Sequence, residues 1–145
     1  ELVQLSEGSV GTALRLLDPK LRAPLLARRE IAREFVTLCA SRKSTAATMK
    51  FINALPQKRE KREELALLLQ AFLACLRGLL LCKQTELAPL CFFASREEAC
   101  TLAYGFTTPQ LLKLCDAVNE AVDRLKKSAN VRLTLTSFAV QCGLI

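Results

Sequence analysis

The sequence contains no histidine. That absence excludes Ser-His-Asp and Cys-His catalysis and leaves no side chain whose unperturbed pKa lies near neutrality. Five glycines are scattered along the chain, and no G-x-x-x-x-G-K-[ST] phosphate cradle can be drawn through them. Seven cysteines are present, at 39, 75, 82, 91, 100, 115 and 142, but no two form a C-x-x-C pair. Zinc needs thiolates or imidazoles at short spacings, so this pattern argues against a metal centre as well as a disulfide framework, and no cofactor is expected. An odd number of cysteines set among leucine, alanine and phenylalanine reads as small hydrophobes of the core, reduced in a cytoplasmic protein. The chain opens Glu1-Leu2-Val3-Gln4-Leu5, with neither an initiator Met nor a basic leader, which suggests a fragment of a longer protein. Charges interrupt the apolar stretches, Arg77 and Lys83 around Leu80 and Leu81 among them, so no uninterrupted run reaches membrane-spanning length.

What remains is ample material for a core: 145 residues, of which 51% are apolar. That is enough for one domain without staples. Nearly every segment has helical periodicity. Leu2 and Leu5 look like the end of a helix stopped by Gly8, and Ser9 can cap a short helix through Leu17. Asp18-Pro19 is a cap followed by a proline at the first helical position, and should open a longer helix ending near Ser41. Pro24 allows that start to slip. Ser44 or Thr45 can cap the next helix, which Pro56 ends.

The segment after Lys58 opens with charge and then becomes apolar on nearly every side through Leu80, the mark of a buried central helix. Ser95-Arg96-Glu97-Glu98 is a capping box, and Gly105 closes the short helix behind it. Thr107-Thr108-Pro109-Gln110 begins the last long helix, with a seam of Leu111, Cys115, Val118, Val122 and Leu125. A polar break at Ser128 to Asn130 separates it from a terminal helix carrying Val131, Leu135 and Phe138. The expectation is an all-α fold: one compact bundle of about six or seven helices.

The acids, including Glu60, Glu63, Glu64, Glu97, Glu98, Glu120 and Asp123, stand at helical spacing and read as solvated faces. No catalytic constellation emerges, and the chain is not expected to be an enzyme. Charge offers a different lead. Between Arg28 and Arg62 there are ten basic residues and three acidic ones, an excess equal to the net charge of the whole chain, +7. Arg42, Lys43, Lys58, Arg59, Lys61 and Arg62 are the candidate basic surface, which could attract phosphate backbones. The only aromatics among these charges, Phe35 and Phe51, sit at core spacing, so base stacking has little to build on.

Two short motifs carry a resemblance. Gly8-Ser9-Val10-Gly11-Thr12-Ala13-Leu14 and Asn130-Val131-Arg132-Leu133, with the order of helices between them, resemble the delta-prime subunit of the bacterial DNA polymerase III clamp loader. Val131 stands where that family often has proline, and Thr134-Leu135-Thr136 where Ala-Leu-Glu is usual. The related gamma and tau subunits have a collar of similar architecture. The resemblance implies that residues 1–17 end an ATPase-module lid and its connecting helix, and that residues 18–145 form the helical collar. Collar domains of five subunits pack into a ring, so the implied partners are other clamp-loader subunits, with DNA met only indirectly or weakly; the interrupted apolar runs point to no membrane partner. The ATPase module, with its zinc cysteines and arginine finger, would lie outside this chain, which should then neither bind nor hydrolyse ATP. Asn130 and Arg132 are candidates either for capping and intradomain pairing or for contact with a neighbouring collar. Phe138 and Leu144 are core residues unless the terminal helix lies on the rim. The alternative is a basic helical module that binds nucleic acid directly.

Overall fold

A computed structural model of the chain describes residues 17–41, 45–55, 58–84 and 95–143. These form six α-helices: α1 (Pro19–Ala40), α2 (Thr45–Asn53), α3 (Arg62–Gln84), α4 (Arg96–Tyr104), α5 (Thr108–Lys126) and α6 (Val131–Gly143). A single 3-10 turn (Arg59–Lys61) precedes α3, and no strand occurs among the described residues. The chain is an all-α bundle.

The helix starts follow local chemistry. Asp18 caps α1 by accepting the Lys20 N–H at 2.9 Å, with Pro19 behind it. Pro24 does not displace this start; it lies inside the helix at an exposed position. There the carbonyl that its missing N–H would have bonded can turn to water. Ser95 accepts the Glu98 N–H, and Thr107 with Gln110 forms a reciprocal capping box at the head of α5. Gly105 closes α4 with an ordinary right-handed φ of -69°. Its value is space: a Cβ there would stand 3.2 Å from the Leu102 carbonyl oxygen and 3.4 Å from the Ala40 Cβ. The absent side chain lets the end of α4 approach the end of α1.

Helix α3 is the central element, packed against α1, α4 and α5. Leu65, Leu68, Leu69, Phe72, Leu73, Cys75, Leu76 and Leu79 are all buried. It is not buried on every side, because Leu67, Gln70, Arg77 and Leu81 reach solvent. By length and composition alone α3 could cross a membrane, but most of its leucines are spent on the bundle.

Helix α5 buries the expected seam and more. Leu114, Ala117 and Ala121 join it, because α5 is flanked by α3 on one side and α6 on the other. Phe35 of α1 stacks on Phe72 of α3 with centroids 4.4 Å apart, and also meets Phe51 of α2 and Phe138 of α6. This aromatic cluster joins four helices, at the offset distances aromatic rings favour.

The described cysteines are free thiols, and Cys75, Cys115 and Cys142 are buried. Burial pushes Cys39 and Cys75 up to about 12 and raises Cys142 as well. These thiols are packing groups and poor nucleophiles at neutral pH. Cys91 lies outside the described residues, as do residues 1–16, which carry the Gly-Ser-x-Gly motif and most of the short helix expected from Ser9 to Leu17.

Candidate assembly surface

The break between α5 and α6 is built from backbone geometry. Ser128 takes a left-handed φ of 61°. The Ala129 N–H donates to the Arg124 carbonyl at 3.0 Å, and the Ser128 N–H to the Leu125 carbonyl at 3.3 Å. This pairing is a Schellman closure, which satisfies carbonyls that a helix end would otherwise strand. Asn130 then opens α6: its side-chain oxygen accepts the Leu133 N–H at 3.0 Å, and its carbonyl accepts from the Thr134 N–H and hydroxyl. Thr134 is thereby satisfied although it is buried.

Arg62, placed by sequence in a basic surface, is instead half-buried at the start of α3. Its two terminal nitrogens donate to the Leu125 carbonyl at 2.8 Å and the Ala129 carbonyl at 2.7 Å. A cation at a helix C-terminus meets both the unpaired carbonyls and the negative end of the helix dipole. At the other end of α3, the Lys83 ammonium donates to the Phe106 carbonyl, next to the α5 N-cap. The central helix therefore grips α5 at both ends.

The remaining candidates fall in three groups. Lys58 is exposed, and Lys61 lies 4.0 Å from Glu64 with both side chains largely in solvent. Arg42 and Lys43 lie outside the described residues, and only the backbone of Arg59 is described. Arg33, also in the basic stretch, is spent on Glu98 at 2.6 Å and Glu30 at 3.1 Å, tying α1 to α4. Hydrogen bonding to Glu98 raises its pKa further above the usual arginine value. Arg33 and Arg62 are thus both engaged within the bundle.

Phe138 is core, sealed against Phe35, and cannot serve as a contact residue without opening the bundle. Arg132 is exposed and makes no ion pair among the described residues. Leu144 lies outside them.

Two residues of α6 that the helical pattern passed over are the most informative. Leu133 is 69% exposed and Val140 46% exposed. Their spacing with exposed Thr136 is i, i+3, i+7, which makes one outward row. After Arg132 the sequence carries no charged residue through Ile145. That run of uncharged residues was the available signal. The edge of α6 beside α5 is already occupied: Arg124 bonds Ser137 and Glu120, and Gln141 donates to Glu120. No family model, curated protein or solved structure matches this chain.

Proposed function

We propose that this chain is a non-catalytic assembly domain, the collar of a DNA polymerase III clamp-loader subunit of delta-prime type. The observation that carries this is the pinned corner between α5 and α6. A helix end closed by a Schellman motif, clipped by Arg62 and restarted by Asn130 presents an uncharged outward row on α6. Exposed apolar rows on a rigid element suit contact with another protein surface. The Asn130–Leu133 motif that carries the family resemblance occupies this same corner.

The work of such a domain is packing. Its helix faces are buried against neighbours in a ring closed by rotation, while the ATP-driven steps belong to other modules of the loader. Mixing the chain with the other clamp-loader subunits and measuring complex mass by light scattering tests this. Co-assembly at a defined stoichiometry is the expected result. Failure to co-assemble, together with DNA binding that weakens steeply with salt, would overturn it in favour of a nucleic-acid-binding module.

A further inference from the structure

The outward row of α6 makes little polar demand, and Leu133 is the most exposed leucine among the described residues. The Thr136 hydroxyl donates to the Arg132 carbonyl at 2.8 Å, so its proton is already used within the helix. Leu133 and Val140 on either side of it are apolar and largely in solvent. Ser137 and Gln141, which could have offered hydrogen bonds along one edge, are committed to Arg124 and Glu120. The row thus offers a partner two apolar side chains and a hydroxyl whose proton is already used.

Its head is the opposite. Arg132 stands at the start of α6, with Lys126 and Lys127 across the Ser128 turn, and all three are exposed. None makes an ion pair among the described residues. Asp123, one turn back on α5, is the only acid in the last turn of α5 or in the turn that follows. Three exposed cations therefore flank the turn from which the apolar row of α6 starts.

From this we infer that the α6 face docks a helix of a partner protein, one with an apolar uncharged row that ends in acidic residues over Lys126, Lys127 and Arg132. Charge complementarity selects this occupant. A second copy of the chain fits poorly. Pairing its α6 in parallel brings the two cation groups together, and pairing it antiparallel sets the cations against the uncharged stretch after Arg132. Each copy also carries a net charge of +7. An acidic helix end answers the cations in a way this chain's own α6 does not. The apolar row then supplies contact that excludes water, and the charges set register and encounter rate.

The identity of the partner rests on the collar reading, so the probe is the set of remaining clamp-loader subunits. Leu133→Glu removes the larger apolar side chain of the row while placing an acid at the third position of α6, where the helix dipole and the Asn130 cap accept it. Folding should be retained, as circular dichroism and the melting transition would report. The variant is expected to bind the subunits roughly 30-fold more weakly, the scale of an interface hot spot. Arg132→Glu is expected to weaken binding about tenfold at low salt and to flatten its salt dependence. Wild-type assembly with unchanged affinity in Leu133→Glu would overturn the docking face and leave the collar function standing. Loss of affinity in Leu133→Glu with none in Arg132→Glu would overturn the acidic end of the partner. No assembly by the wild-type chain would overturn both.

Discussion

Arg62 is a half-buried cation whose observed partners are carbonyl oxygens rather than a carboxylate. Two charge-assisted hydrogen bonds to backbone, made where the α5 dipole is negative, offset the loss of water around the guanidinium. Replacing it by Met keeps much of the aliphatic packing and removes both bonds. Arg62→Met should therefore lower unfolding free energy by about 1.5–3 kcal/mol, read as a drop in urea midpoint at unchanged m. Nothing in the sequence distinguished Arg62 from Lys58 or Lys61, because a charge count carries no partner. The distinction arises only once α3 and α5 run antiparallel and the first turn of one meets the last turn of the other. Lys83 was legible as an interruption of an apolar run, but its carbonyl partner was not, for the same reason.

At the level of elements, the α5–α6 corner was the most readable part of the chain. A basic last turn, a polar Ser128-Ala129-Asn130 and a resumed apolar spacing mark a stop, a turn and a cap, and each has a local chemical cause. The left-handed conformation at Ser128 was not readable, since glycine is the residue that normally announces it. Serine there holds a φ that costs a side chain about 1 kcal/mol. Ser128→Gly should accordingly stabilise the chain by roughly 0.5–1 kcal/mol, less whatever the more flexible glycine costs through the unfolded state. A melting temperature that falls instead would mean that the unfolded-state cost of glycine exceeds the backbone strain removed. The outward row of α6 escaped the periodic pattern because Val131, Leu135 and Phe138 already account for a core face. A leucine at 133 is apolar whether it faces the bundle or water, and only its neighbours decide which.

Across the whole molecule, the helical class and most of the core followed from periodicity, since leucine-rich stretches with caps leave few other solutions. The buried thiols give the assembled core a pH signature. Cys39 and Cys75 have ordinary values of 9.0 and are pushed up to about 12 on folding. Above pH 9 the unfolded chain releases those protons and the native chain keeps them, so the native state binds more protons and stability must fall as pH rises. For Cys75, fully buried, the loss should approach about 1.4 kcal/mol per pH unit between 9 and 12. Urea denaturation at pH 8 and pH 10 measures it, and Cys75→Ala should flatten the difference. The grip of α3 on both ends of α5 has a consequence of another kind. At about 1.5 Å per residue, the stretch from Arg62 to Lys83 is a rod of about 31 Å, and α5 must match it for both clips to close. One inserted residue in either helix adds that rise and turns everything beyond it by about 100°, so one clip or the other must open. The two helices act as a gauge and its workpiece: their lengths can change together, but neither can change alone.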